Sequence, residues 1–296
     1  MKFFLGLLFI LFSSRTVYSS EFILPICTEL KNSNSFLIQK GVSCETLKNF
    51  EDKFQIILKT INHPIPFPKV FVSLNAQEAW STYGNLLHIS QTQMAWGQVK
   101  TNSQRDMVWM HEIGHLVFQQ MLESDFKKLS CFKKYMQQDA NEKWKARNPF
   151  LNTDKALAQL WSTECSSARD LQVAYSEIFA DFIVSLTLGD PRAPVKYMKS
   201  SAAPQTETAK VELYDFSKNH LVENCINEDP HFYFAPVRGA VGKKFLSGKS
   251  EKDEAVKEFY RVIKEDILSY GDNNKLLGDC KIASKQFIAR IVQKTK

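Results

Sequence analysis

His111, Glu112 and His115 stand in the run His-Glu-Ile-Gly-His. On a helix, side chains four positions apart leave the same face about one turn apart, so two imidazole nitrogens can reach one ion. Glu112 is turned by about 100° from His111 around the helix axis. It can approach a water at the ion without being a ligand. Metal-assisted hydrolysis needs this division: imidazoles that bind and a carboxylate that takes a proton. The pentapeptide also occurs by chance on surface helices. Here Met107-Val108-Trp109-Met110 and Leu116-Val117-Phe118 flank it and make a buried helix. Three polar side chains in such a helix need partners, and a metal ion supplies them. The expected ion is Zn2+, one per chain.

A catalytic zinc takes three protein ligands and keeps one position open. A third histidine in the pattern H-E-x-x-H-x-x-G-x-x-H needs glycine at 118 and histidine at 121. The chain has Phe118 and Met121 there. A carboxylate is the remaining choice. The run Tyr175-Ser176-Glu177-Ile178-Phe179-Ala180-Asp181 sets Glu177 and Asp181 four apart among Val173, Ala174, Phe182, Ile183 and Leu186. Two carboxylates in so apolar a helix are costly if unpaired. Zinc and a histidine N–H would satisfy both. Glu123 and Glu164 are alternative ligands, and a lysine or arginine is an alternative partner for Glu177.

H-E-I-G-H followed by a helical E-x-x-A-D resembles the gluzincin branch of the zincin metallopeptidases, the thermolysin-like arrangement. The likeness runs from Asn85 to Leu188. It implies that Glu177 is the third zinc ligand and that Asp181 braces His111 from behind, fixing its tautomer. It implies peptide hydrolysis by a zinc-activated water, with Glu112 as general base. It also implies an oxyanion-stabilising histidine or tyrosine well after the second motif. His231, in Asp229-Pro230-His231-Phe232-Tyr233-Phe234, is the candidate, with Asp229 to orient it; Tyr175 and Tyr233 are alternatives. Arg238 is expected to meet a substrate carbonyl or carboxylate. His63, His88 and His220 have no supporting pattern and are read as structural. The segment from Asn85 to Ser90 resembles the edge strand on which such peptidases lay an extended peptide. A G-x-M-E-N-like segment, as in the aminopeptidase gluzincins, is missing, which favours an endopeptidase. The alternative is an exported, disulfide-tied binding module that keeps a zincin scaffold without turnover. The presence of Glu112 speaks against it.

These residues need elements to hold them. Leu47, Phe50, Phe54, Ile57 and Leu58 give the segment from Glu45 to Ile61 an amphipathic helical period. The run His63-Pro64-Ile65-Pro66-Phe67-Pro68 ends it, and Lys69 to Leu74 then reads as a buried strand. Ser103 with Asp106 is a capping-box pattern for the helix of the first motif. Gly114 lies inside that helix at a cost of about 1 kcal/mol against alanine, so it is expected at a close packing contact. Leu171 to Leu188 is a second apolar helix, stopped by Gly189-Asp190-Pro191. Glu251 to Tyr270 and Lys281 to Val292 are later helices. Strands gather early and helices late, which predicts α+β: a zincin-like two-lobed fold, with a sheet-bearing N-lobe (20–124) and a mainly helical C-lobe (150–296) around a cleft.

Lys2, the apolar run Phe3 to Phe12 and the small residues up to Ser19 have the layout of a secretory signal peptide over residues 1–19. The run is too short to span a bilayer. The chain is therefore expected to be exported, to a periplasm or the medium, with no membrane span. All six cysteines lie after this leader and none forms a C-x-x-C pair. That suggests disulfides rather than a cysteine zinc site. The expected pairs are Cys27–Cys44, Cys131–Cys165 and Cys225–Cys280. Loss of Lys2 and Arg15 takes the formal charge from +6 to +4. No basic stripe carries stacking aromatics, so nucleic acid is not an expected partner. The oligomeric state is not readable from the sequence.

Overall fold

A computed structural model of the chain describes residues 22–74, 80–82, 85–92, 101–126, 166–198, 209–227, 229–248, 250–270 and 279–293. Five strands come first: β1 (Phe22–Ile23), β2 (Phe36–Gln39), β3 (Lys69–Ser73), β4 (Trp80–Thr82) and β5 (Leu86–Ser90). They form one sheet in the order β1-β2-β3-β5-β4. β2, β3 and β5 run parallel, with Ile38 opposite Val72 and Val72 opposite Ile89. β1 and β4 are antiparallel at the two edges. The fold is α+β, as the order of patterns predicts.

Helix α1 (Cys44–Ile61) connects β2 to β3. Ser43 caps it by accepting a hydrogen bond from the Thr46 N–H, and Asn62 ends it in the left-handed conformation. Parallel neighbours require such a crossover. Its apolar face buries Leu47, Phe50, Phe54 and Ile57. Phe50 meets Phe36 of β2 edge-on at 6.1 Å. Phe67, from the proline-rich run, packs on Phe54 at 4.9 Å. The disulfide Cys27–Cys44 pins the N-terminal segment to the first residue of α1.

Two expectations change here. β5 is not the edge strand: β4 covers it, pairing Trp80 with His88 and Thr82 with Leu86. A three-residue strand has too little alternation to be seen as a period, so β4 was not legible. The capping box at Ser103 and Asp106 is not used either. In α2 (Asn102–Phe126) the Gln104 N–H donates to Thr101 Oγ1 at 3.2 Å. Asp106 instead accepts from Asn49 Nδ2 at 2.9 Å and pairs with Lys53 at 3.3 Å. It docks α1 on α2.

The remaining elements are helical: α3 (Ser166–Leu188), α4 (Ala193–Met198), α5 (Pro230–Tyr233), α6 (Arg238–Phe245), α7 (Lys252–Tyr270) and α8 (Cys280–Gln293). α2 and α3 lie against each other at Gly114. A Cβ there would sit 2.7 Å from the Ala180 Cα, closer than real side chains approach backbone. Glycine in H-E-I-G-H and alanine in E-I-F-A-D are thus the two halves of one close contact. On the other side of α3, Phe179 and Phe182 meet Phe259 of α7 at 6.0 and 4.7 Å. Phe259 stacks on Phe287 of α8. The disulfide Cys225–Cys280 joins the segment before α5 to the start of α8. Among the described residues no helix is long and apolar enough to cross a membrane. The leader, Cys131, Cys165, Glu164 and the polar stretch after α2 lie outside the described residues, as does the side chain of Glu123.

Candidate metal centre

The α2–α3 contact places both motifs at one point. Ligand atoms of His111, Glu112 and His115 lie within 4.8 Å of one another, and all three residues are buried. Glu177, one turn before Ala180 on α3, brings its carboxylate to the same place. Its Oε2 is 3.2 Å from His111 Nε2 and its Oε1 is 3.6 Å from His115 Nε2. The Oε2 atom is buried and accepts no hydrogen bond despite that proximity. A buried carboxylate oxygen that faces imidazole nitrogens without accepting a hydrogen bond is what a metal ion would satisfy. The spacing agrees. A tetrahedron with bonds of about 2.0–2.1 Å has edges of about 3.3–3.4 Å. Two imidazoles and a carboxylate fit a zinc ion.

Each imidazole is held from behind. His111 Nδ1–H donates to Asp181 Oδ1 at 2.9 Å. His115 Nδ1 shares a hydrogen bond of 2.7 Å with Ser176 Oγ. Both rings therefore present Nε2 to the centre. Asp181 is fully buried and has two further partners. Tyr197, on α4, donates from its hydroxyl to Oδ1 at 2.6 Å, and Arg238, at the start of α6, donates from Nη1 to Oδ2 at 2.7 Å.

Arg238 is not a substrate contact. Only 1% of it is exposed, and it lies over the rings of Tyr214 and Phe216 at 4.7 and 5.3 Å. Gly242 allows this cover: a Cβ there would sit 1.9 Å from the Phe216 carbonyl oxygen. A buried guanidinium needs a buried counter-charge, and Asp181 supplies it. The second donor arm, Nη2, bonds the His231 carbonyl at 2.9 Å.

His231 reaches the centre from α5. Its Nε2 is 3.5 Å from Glu177 Oε2, and its Nδ1 is 3.1 Å from Asp229 Oδ1. Asp229 also caps α5 by accepting from the His231 N–H. The two tyrosine alternatives lie elsewhere in the packing. Tyr175 is buried and donates to Asp266 of α7, and Tyr233 is buried in the core. His220 bonds the Asp215 carbonyl oxygen. Tyr197 and Ser176 carried no recognisable signal. Tyr197 is distant in sequence on a short helix, and Ser176 only adjoins Glu177.

The charges respond to this crowding. Burial pushes the His111 pKa down, but the hydrogen bond and charge of Asp181, then the nearby charge of Glu177, hold it well above the usual histidine value. Burial raises the Glu177 carboxyl, and His231, His115 and His111 more than reverse this, holding it well below the usual carboxylate range. For Asp181, burial is overcome by Arg238, His111 and Tyr197. The Glu177 charge, against burial and with help from Asp229, raises His231 to about 9. The site is therefore a compact set of paired charges that a cation can enter by displacing protons.

The sequence matches no family model, and neither a curated protein nor a solved structure matches it.

Proposed function

We propose that this chain is an exported zinc peptidase of the gluzincin branch, with a zincin-like two-lobed fold and its cleft at the α2–α3 contact. One observation carries the reading. The buried carboxylate of Glu177 faces the Nε2 atoms of His111 and His115 at tetrahedral-edge distances, and its Oε2 accepts no hydrogen bond. Glu112 stands in the same group. A binding module or a purely structural site has no need of that carboxylate.

His111, His115 and Glu177 would hold the ion. Zinc supplies Lewis acidity, lowering the pKa of water and polarising a carbonyl. The protein does the rest. Asp181 keeps the proton of His111 on Nδ1, so its Nε2 lone pair is free to bind. Glu112 accepts the proton of the attacking water and passes it to the leaving amine. His231, partly exposed beside Glu177, can donate from Nε2 to the developing oxyanion. Arg238 keeps Asp181 ionised and holds the His231 backbone in place.

The test combines metal content with cleavage. Full-length protein purified without chelator should hold one zinc per chain and cleave members of a peptide library internally. Chelator should abolish the cleavage and zinc should restore it. Glu112→Gln protein should retain zinc and lose the cleavage. Zinc-loaded wild-type protein that cleaves no peptide would leave the non-catalytic module as the better reading.

A further inference from the structure

The geometry points to His231 as a fourth, displaceable protein ligand of the same ion. This rests on the metal centre proposed above and does not depend on peptidase activity. Three imidazoles, not two, converge on the Glu177 carboxylate. Their Nε2 atoms lie 3.2 Å (His111), 3.6 Å (His115) and 3.5 Å (His231) from its oxygens. All three distances lie close to the edge of a zinc tetrahedron, about 3.3–3.4 Å. His231 and His111 thus flank the same oxygen, Oε2, at similar distances, while His115 faces Oε1.

The way the ring is held supports this. His111 is fixed through Nδ1 by Asp181, His115 by Ser176 and His231 by Asp229. An oxygen on Nδ1 with Nε2 turned inward is the usual presentation of a ligating histidine. A ring that only shielded the site would need no such hold. His231 is anchored twice more, its N–H by Asp229 and its carbonyl by buried Arg238. Arg238 also bonds the Asp181 that braces His111, so one guanidinium ties the third imidazole to the first.

His231 differs from the other two in exposure. Its side chain is 37% exposed, against 11% for His111 and 10% for His115. It stands on the four-residue helix α5 rather than on a long buried one. That makes it the ligand that can leave. At rest His111, His115, Glu177 and His231 would together hold the ion, leaving no open position. An incoming carbonyl or water would take the place of His231 Nε2, and the released imidazole would then face the incoming group. The arrangement would keep the ion closed to small molecules until an occupant competes with His231.

X-ray absorption at the zinc edge of the zinc-loaded full chain should count three imidazoles and one carboxylate. Two imidazoles with added water oxygens overturn the inference. Zinc affinity, read by competition with a chromogenic chelator, should fall in His231→Ala by more than the about 10- to 100-fold expected of an outer partner such as Asp229→Ala. Free imidazole should restore part of the loss, and circular dichroism checks that the variant is folded. Unchanged affinity in a folded His231→Ala protein refutes the proposal while leaving the three-ligand centre in place. Wild-type protein that binds no zinc overturns both.

Discussion

Gly114→Ala sets two effects against each other, and the structure decides between them. By helix propensity alone, replacing a mid-helix glycine with alanine stabilises by about 1 kcal/mol. The new Cβ, however, would stand 2.7 Å from the Ala180 Cα and 3.1 Å from both the Ala180 Cβ and its carbonyl oxygen. Reaching the 3.4 Å where ordinary contact begins requires α2 and α3 to part by about 0.7 Å. No flexible side chain can yield, because the nearest atom belongs to backbone. Overpacking of this kind costs about 1–3 kcal/mol, and the rigid contact places it in the upper part of that range. The net expectation is a loss of about 1–2 kcal/mol. Thermal unfolding should show it as a lower Tm by about 2–4 °C per kcal/mol. The same displacement carries Glu177 and Asp181 away from His111, since they flank Ala180 on α3. Zinc affinity should therefore fall along with stability, by about tenfold or more, measured by chelator competition. A Tm equal to or above wild type would refute the close contact. A lower Tm with unchanged zinc affinity would refute the claim that this contact sets the ligand geometry.

Other measurements probe the site from different sides. Glu112→Gln should keep zinc and the fold while turnover drops by about 10²–10⁴-fold; loss of zinc would make Glu112 a ligand instead. Glu177→Ala should lose most zinc, whereas Asp181→Asn should weaken binding by about 10- to 100-fold and also destabilise the fold, because Arg238 is left buried without its counter-charge. The metal-free protein has His111 well above the ordinary histidine value of 6.5 and His231 at about 9. Charged His231 stabilises the fold fully below pH 6.5, a contribution lost as pH rises through about 9, and that of charged His111 is likewise lost only well above 6.5. Zinc needs neutral imidazoles, so its affinity should rise over the same window and its uptake should release protons. Calorimetry in buffers of different ionisation enthalpy would contradict this if no proton release appears. Peptide mapping without reduction should recover Cys27–Cys44 and Cys225–Cys280 as linked peptides; a link from Cys27 to Cys280 would contradict the pairing.

The sequence alone determined what depends on local spacing. Two histidines four apart in an apolar run, and two carboxylates four apart in another, fix which side chains share a helix face, because the helical period is local. The amphipathic pattern of α1, the stop at the proline run and the strand over β3 were legible for the same reason. So were the two disulfides seen here, which join cysteines consecutive in the chain. Tertiary structure decided everything that spans sequence distance. Gly114 announced a close contact but not that Ala180 would fill it, since either face of α2 could have carried the partner. Arg238 read as a substrate contact; burial over Tyr214 and Phe216 made it the counter-charge of Asp181. Tyr197 and Ser176 were invisible because a hydrogen bond across packed helices leaves no period in the chain. β5 gave a strand pattern, yet only pairing could say that three residues of β4 would cover its edge. Spacing along one helix is set by covalent geometry, whereas the partner of a buried charge is set by which surfaces the chain packs together.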